Sequence, residues 1–152
     1  MWRRLTPLAA LNVLFWILSG CSAVPAPPQQ AQIGREVSFH RWEDIPEEPL
    51  NPLLSRKIIT GDRLMMAHVL LKKGSAVPAH QHDNEQFTYI LKGALKFEIG
   101  GKETIVREGE VLVVPANVVH AATALEDTLD LDVFSPPRQD WLNKTDNYLR
   151  GK

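Results

Sequence analysis

Two histidines separated by one residue are the first feature of the sequence with a clear chemical use. His80 and His82 lie two positions apart, and alternate residues of a β-strand point to the same face, so both imidazoles can reach one ion. Gln86 follows a short polar turn and can bring an amide oxygen to the same point from a neighbouring strand. His120 follows a turn-forming Pro-Ala-Asn sequence. These side chains predict a site for one divalent metal ion with nitrogen and oxygen ligands.

The fourth ligand has two candidates. Glu85 directly precedes Gln86, and the turn at Asp83 and Asn84 can reset the strand alternation, so parity does not separate them. With Gln86 as the ligand, three imidazoles and an amide leave the charge of a divalent ion uncompensated, which favours anionic substrates and Lewis-acid chemistry. Zinc, manganese, iron, nickel and copper all accept such ligands, and the sequence does not choose among them.

A second group of candidate residues lies in the segment 127–134, where residue type alternates. One face carries Leu129, Leu131 and Val133, and the other carries Asp130, Asp132 and Phe134. The aspartates point to solvent if the apolar face is the core. Alternatively they line a cavity, which better explains an aromatic ring beside two acids. Arg138 follows two prolines and can hold a guanidinium near the mouth of that cavity.

The elements that must position these residues are short β-segments separated by turns. Apolar or alternating runs recur from residue 36 onward, and Gly100-Gly101 is a good hairpin turn because both residues tolerate positive φ. The alternation over 36–42 predicts a first strand, and the prolines that follow it at 46, 49 and 52 predict irregular structure. We expect an all-β sandwich or small barrel, with a short helical segment at 141–149.

Composition limits the classes of function. The chain has 152 residues, of which 44% are apolar and 23% charged, which predicts one globular domain at 36–152. A net charge of −1 without a basic run makes nucleic acid a poor partner. A single cysteine excludes an internal disulfide and any metal site with several cysteines.

The amino terminus reads as a targeting segment. Two arginines precede an apolar run that is too short for a transmembrane helix, so residues 1–20 are predicted to be a signal peptide. Leu18, Ser19 and Gly20 before Cys21 resemble the lipobox of bacterial lipoproteins, in which the cysteine carries the lipid. The alternative is a plain secretory signal. The Pro- and Gln-rich residues 21–35 then form a flexible tether, and we expect the periplasmic face of a bacterial membrane, by resemblance the outer one.

The spacing around the histidines resembles the two motifs of the cupin superfamily. The first motif is matched at every spacing by Gly74, His80, His82, Gln86 and Gly93, with Gln in place of Glu. The second is matched by Gly109, Pro115 and His120, while Asn117 replaces a Gly and Ala124 an Asn. This resemblance implies a double-stranded β-helix, or jelly roll, around one metal site, and motif spacing favours Gln86 over Glu85 as a ligand.

The segment 132–141 narrows the resemblance. It is similar to small single-domain cupins of pectin degradation, which convert 4,5-unsaturated uronates to linear keto sugars. The corresponding residues are His80, His82, Gln86, His120, Asp132, Phe134 and Arg138. The resemblance implies that the first four bind metal, that Asp132 moves a proton, and that Arg138 and Phe134 contact substrate. Tyr89 is a further candidate for substrate binding, with packing in the core or at a dimer interface as the alternative.

The function predicted from these residues is a metal-dependent lyase or isomerase that acts on a small, anionic, sugar-like molecule. Ketonisation of 4,5-unsaturated monouronates is the specific hypothesis. A cupin dioxygenase with the same ligands and a non-catalytic cupin that binds or senses a carboxylated ligand are the alternatives. The resemblance also implies a homodimer that touches the membrane only through its lipid.

Overall fold

The computed structural model describes residues 37–151, and the second of the two compact units of the chain is Ser38–Lys152. The predicted signal peptide at 1–20, the lipidation site Cys21 and the tether at 21–35 lie outside the described residues and stay predictions. Within 37–151, no helix has the length and apolar character needed to cross a membrane.

The described residues form ten strands and two short helical segments. The strands are β1 (Glu48–Asn51), β2 (Leu54–Thr60), β3 (Met65–Leu71), β4 (Ala76–His80), β5 (Glu85–Lys92), β6 (Ala94–Ile99), β7 (Lys102–Arg107), β8 (Val111–Val114), β9 (His120–Ala124) and β10 (Thr128–Ser135). The helical segments are α1 (Gln139–Leu142) and a 3₁₀ helix (Asn147–Leu149).

The strands pair in two antiparallel sheets. The larger sheet has the order β1-β2-β3-β10-β5-β8, and the smaller has the order β4-β9-β6-β7. Sequential neighbours such as β6 and β7 form hairpins, whereas β10 returns from the end of the barrel to lie between β3 and β5. The predicted all-β jelly roll with a short helical segment at its end is confirmed.

Strand β10 presents acids to the interior. Asp130 is 3% exposed and Asp132 is 7% exposed, whereas Leu129, Leu131 and Val133 on the opposite face are only half-buried. The expectation that the aspartates point to solvent is therefore wrong. They line the cavity, as the alternative predicted. Packed between two neighbouring strands, β10 presents one full set of alternate side chains to the interior, and this set includes the acids.

The start of β10 packs directly on the turn between β5 and β6. Gly93 lies in this turn with φ of +88°, and a β-carbon there would lie 2.7 Å from both the carbonyl oxygen of Asp127 and Oγ1 of Thr128. Thr128 Oγ1 accepts a hydrogen bond from the N–H of Ala94 and donates one to its carbonyl oxygen, each at 3.2 Å. Only glycine combines this conformation with so close an approach.

The amino-terminal strands differ from the prediction. Residues 37–42 contain no strand, and Val37 and Phe39 are exposed, because their alternation finds no partner strand. The prediction of a strand at 36–42 is therefore wrong. Regular structure begins instead among the prolines, where Pro49 occupies edge strand β1 and does not interrupt an internal ladder.

The outer face of the larger sheet is apolar. Its exposed members on β3, β5 and β8 are Met66, Phe87, Tyr89, Val111 and Val113. The predicted homodimer stays a prediction.

Candidate metal centre

Three histidines converge at one end of the barrel, although only two of them lie in strands. His80 ends β4 and pairs with His120 at the start of β9. His82 lies beyond the end of β4, so the strand alternation expected for the His-x-His pair does not position it. A hydrogen bond of 2.7 Å from the N–H of Asn117 to the carbonyl oxygen of His82 holds this loop in place. Asn117 takes the left-handed φ of 64° that its turn requires.

Backbone carbonyls fix the orientation of all three imidazoles. Nδ1 of His80 lies 2.9 Å from the Pro78 oxygen, and Nδ1 of His120 lies 2.8 Å from the Val118 oxygen. His82 makes the same contact with a nearby backbone oxygen at 3.0 Å. Because a carbonyl only accepts, each Nδ1 carries the proton and each Nε2 keeps its lone pair. One nitrogen from each ring lies within 4.8 Å of the others, so the three can share one ion.

The environment keeps these imidazoles neutral. Burial lowers the pKa of His80 and of His82 to about 4, and the positive charge of Arg138 acts in the same direction. Burial also lowers the pKa of His120. In addition, the buried Nε2 of His120 has no hydrogen-bond partner among the described residues. A divalent cation would satisfy this nitrogen, so the donor set fits a metal.

Gln86 lies inside the barrel beside His82, whereas Glu85 is exposed on the other face of β5. The Gln86 amide nitrogen donates to Thr88 Oγ1 at 2.8 Å and to Asp132 Oδ1 at 3.0 Å, which orients its oxygen. That oxygen lies 3.1 Å from Nε2 of His82. Two lone pairs thus face each other with no proton between them, an arrangement that a cation completes. This geometry favours Gln86 over Glu85 as the fourth ligand.

Asp132 is a buried carboxylate next to this ligand set. Its Oδ1 accepts hydrogen bonds from Gln86 and Thr88. Burial raises its pKa to about 6, and the two hydrogen bonds and Arg138 partly oppose this rise. Asp130 lies two residues earlier on the same face, and burial and the nearby charge of Asp132 raise its pKa well above the usual range. Its buried Oδ1 has no partner in the described part of the chain.

Arg138 lies at the cavity, but its guanidinium is already engaged. It is 1% exposed, and Nε and Nη2 donate to the two carboxylate oxygens of Asp140 at 2.9 and 2.7 Å. Nη2 also donates to the hydroxyl of Tyr148 at 2.8 Å, and the guanidinium lies 5.3 Å from the ring centre of Phe134. The forked edge of Arg138 is thus held by the protein, and a substrate can approach only its remaining nitrogen.

Most of the predicted site residues line one cavity of about 50 Å³. The lining includes His80, Gln86, His120, Asp132, Phe134 and Arg138. His82 lies beside it, with its ring 5.7 Å from that of Phe134. The structure thus collects these predicted metal, proton-transfer and substrate residues from β4, β5, β9 and β10 and from the segments that follow β4 and β10.

Tyr89 does not belong to this group. It is 38% exposed and alternates on β5 with the buried Thr88 and Ile90, so it faces away from the cavity. This position corrects the prediction that Tyr89 contacts substrate. The tyrosine at the cavity is Tyr148, whose ring stacks on His80 with centres 4.6 Å apart. Its position in a polar tail gave no sign of this role.

Comparison with known proteins agrees with this arrangement. A sequence model described as the cupin domain matches residues 67–135. The structure of KdgF from Halomonas sp. is similar, with 32% identity and a TM-score of 0.66 over 70% of this chain and 99% of that chain. The chain belongs to the cupin superfamily. The resemblance predicted from the motif spacing is therefore confirmed, although no curated protein matches the chain.

Two further cupin structures are more distant. An RmlC-like cupin from Shewanella frigidimarina is 25% identical, with a TM-score of 0.65 over 70% of this chain and 96% of that chain. Oxalate decarboxylase from B. subtilis, a protein with Mn(II) centres, is 23% identical, with a TM-score of 0.58 over 66% of this chain and 30% of its own. This last similarity shows the shared fold alone.

Proposed function

We propose that this cupin is a metal-dependent enzyme of the lyase or isomerase type that acts on a small anionic, sugar-like molecule. Ketonisation of 4,5-unsaturated monouronates is the reaction that we propose. The observation that carries the proposal is the meeting, at one cavity, of three neutral imidazoles, a buried carboxylate and a buried guanidinium. The similarity of 132–141 to the uronate-converting cupins and the relation to KdgF support it.

The residues that would hold the metal are His80, His82, His120 and Gln86. When bound, the metal would supply Lewis-acid polarisation of a substrate oxygen. All four ligands are neutral, so they would leave the charge of a bound divalent ion uncompensated. This charge distribution favours an anionic substrate such as a carboxylate.

Asp132 is suited to move a proton. A pKa of about 6 leaves it mostly ionised at neutral pH yet able to hold a proton, which is the balance that general acid-base catalysis requires. Gln86 and Thr88 both bind its Oδ1, so Oδ2 is the oxygen that would exchange a proton with substrate. These two side chains fix the carboxylate, so its proton is delivered to one place.

Arg138 is suited to orient a carboxylate. Asp140 and Tyr148 hold the guanidinium rigidly, so a substrate carboxylate would meet a donor that is already in position. The ring of Phe134 packs against both Arg138 and His82, and it keeps water from the space between them.

The location remains the one predicted from the sequence, the periplasmic face of a bacterial membrane, through lipidated Cys21.

The test is turnover of a 4,5-unsaturated monouronate by the purified protein loaded separately with zinc, manganese, iron, nickel or copper. Loss of the ultraviolet absorbance of the conjugated double bond measures the reaction, and His80→Ala corrects for spontaneous ring opening. We expect metal-dependent consumption above this control. Asp132→Asn should retain metal while turnover falls by about 100-fold or more.

Other outcomes would contradict the proposal in different ways. Undiminished turnover in Asp132→Asn would remove that residue from proton transfer. No consumption with metal demonstrably bound would reject the substrate. Oxygen uptake by the iron form would instead identify a dioxygenase, and tight binding of a carboxylate that is recovered unchanged would identify a binding protein.

A further inference from the structure

The carboxyl-terminal tail completes the cavity from outside the segment that matches the cupin domain. That match ends at residue 135. Nevertheless Arg138, Trp141, Tyr148 and Leu149 line the same cavity as the proposed metal ligands. Tyr148 and Leu149 also lie beyond the segment 132–141 that resembles the uronate-converting cupins, so neither resemblance describes this part of the cavity wall.

Tyr148 is the tail residue that approaches the metal ligands. Its ring lies nearly parallel to that of His80, with an angle of 26° and a centre-to-centre distance of 4.6 Å. Its hydroxyl accepts the hydrogen bond from Arg138 Nη2 at 2.8 Å. One side chain thus forms a wall between a proposed metal ligand and the proposed carboxylate-binding group.

The backbone on both sides of Tyr148 is anchored to strands β1 and β2. Before it, Asp146 pairs with the fully buried Arg56 at 2.6 Å. After it, the Leu149 carbonyl accepts a hydrogen bond from Asn51 at 2.8 Å, and Arg150 pairs with Glu48 at 2.8 Å. Tyr148 is therefore held as a fixed wall and not as the tip of a mobile lid.

The space that this wall leaves is small. The cavity measures about 50 Å³, whereas typical small-molecule sites measure about 300–1,000 Å³. A carboxylate group can enter such a space, and the ring of Tyr148 forms its wall beside His80. The position of this side chain therefore decides how much of an acid fits beside Arg138.

We propose that Tyr148 is a specificity-determining residue whose ring limits the size of the acid that binds between Arg138 and the metal ligands. This inference rests on the proposed function, because it concerns acids at that same site. Truncation of Tyr148 should therefore change the ratio of the affinities for large and small acids, whereas removal of its hydroxyl alone should not.

The experiment measures binding of two unreactive acids, acetate and D-galacturonate, to the zinc-loaded full chain by calorimetry. The variants are Tyr148→Ala, Tyr148→Phe and the control Leu142→Ala, which removes an exposed side chain of the same tail. We expect Tyr148→Ala to raise the ratio of galacturonate to acetate affinity by about tenfold. Tyr148→Phe should leave the ratio unchanged and weaken both acids, because Arg138 loses an orienting partner. Leu142→Ala should match the wild type.

An unchanged ratio in Tyr148→Ala would overturn the proposal, as would failure of the zinc-loaded wild type to bind either acid. If Tyr148→Ala does not fold or retain zinc, Tyr148→Trp tests the same idea in reverse, and a ratio that does not fall would contradict it. Neither acid carries the unsaturated bond, so the result stands apart from turnover. Loss of the uronate reaction with a changed ratio would reject the substrate alone.

Discussion

Two polar clusters in this barrel, each with fully buried members, are built in opposite ways. The anchor cluster consists of Glu48, Arg56, Asp146 and Arg150, and the site cluster consists of His80, His82, Gln86, His120, Asp130 and Asp132. In the anchor cluster each charge has an opposite charge within 3.0 Å. In the site cluster, Nε2 of His120 and Oδ1 of Asp130 are buried and have no partner among residues 37–151. Nη2 of Arg56 in the anchor cluster also makes no hydrogen bond there, but it lies 2.9 Å from the Glu48 carboxylate.

The difference separates stability from function. Two arginines and two carboxylates balance their charges in the anchor cluster, so it can hold the tail against β1 and β2 without a ligand. The site cluster keeps lone pairs and a carboxylate in low dielectric, which costs folding free energy and is useful only when something binds. Substitutions in the anchor cluster should therefore lower the free energy of unfolding strongly. Substitutions in the site cluster should lower it much less or raise it.

The largest effect on stability is expected from Asp146→Asn. The change leaves the fully buried Arg56 with one remaining acidic partner, and breaking a buried pair in this way costs about 3–5 kcal/mol. Urea unfolding of the metal-free protein measures this loss. Asp127→Asn is the matched control, since its pair with Lys72 is exposed and should contribute far less to stability. Equal losses in the two variants would show that the buried pair of Asp146 and Arg56 stabilises the protein no more than the exposed pair does.

His120→Ala should show the reverse pattern. Loss of one imidazole should weaken zinc binding by more than about 100-fold, beyond the effect of a residue that only orients a ligand. The metal-free variant should lose much less stability than Asp146→Asn, because among residues 37–151 only Nδ1 of this ring has a hydrogen-bond partner, the Val118 oxygen. Competition with a chelating dye measures the affinity. His68→Ala is the control, since that ring stacks on Trp42. Unchanged zinc affinity in His120→Ala would contradict the ligand assignment.

Asp130→Asn tests how a buried carboxyl of the site cluster makes stability depend on pH. Burial raises the pKa of Asp130 in the folded protein, so between the ordinary carboxyl pKa and that raised value the folded state binds more protons than the unfolded state. Stability of the wild type is therefore lost as pH rises through this interval. The neutral amide removes the dependence. The metal-free variant should match the wild type near pH 4 and be more stable by about 1–3 kcal/mol at pH 8.

Thermal unfolding at both pH values checks this expectation. A stabilisation that is equal at the two values would show that ionisation of Asp130 is not its origin. A loss of stability at pH 8 would show that the carboxylate is satisfied in the folded protein.

The smallest effect is expected from Tyr89→Phe. The hydroxyl of Tyr89 lies on the outer face of the larger sheet, so zinc affinity, turnover and the unfolding midpoint should all stay at the wild-type values. A change in turnover would restore the prediction that this tyrosine contacts substrate. The comparison with Tyr148→Phe is direct, because these two residues are the only tyrosines of the chain.

The parts of the molecule that were predictable from sequence are those that local spacing determines. Strands β6 and β8 are an alternating and an apolar run between turns, which is the pattern from which the strands were predicted. Motif spacing also identified the residues that the barrel brings to one cavity. His82 lies beside the other predicted ligands as expected from the spacing, but strand alternation does not place it there, because it lies in a loop and not in a strand.

Long-range pairing explains what sequence did not predict. Strand β2 carries Arg56 at a fully buried position, and its fully buried partner Asp146 lies 90 residues later in the chain. Similarly, nothing near Arg138 indicated that Asp140 would occupy its forked edge or that Tyr148 would stack on His80. Alternation on β10 defined its two faces, but the choice of the inner face depended on its neighbours in the sheet.

The close packing of Thr128 on Gly93 has a consequence for folding. A slip of β10 by one residue would exchange its faces, placing Leu129, Leu131 and Val133 inside and releasing both aspartates to water. Apolar burial alone favours this misregistered strand, so the central strand of the sheet is locally frustrated. The side chain of Thr128 fits against the turn only in the native alignment. Gly93, in the turn between β5 and β6, thus favours the register that keeps Asp130 and Asp132 inside the barrel.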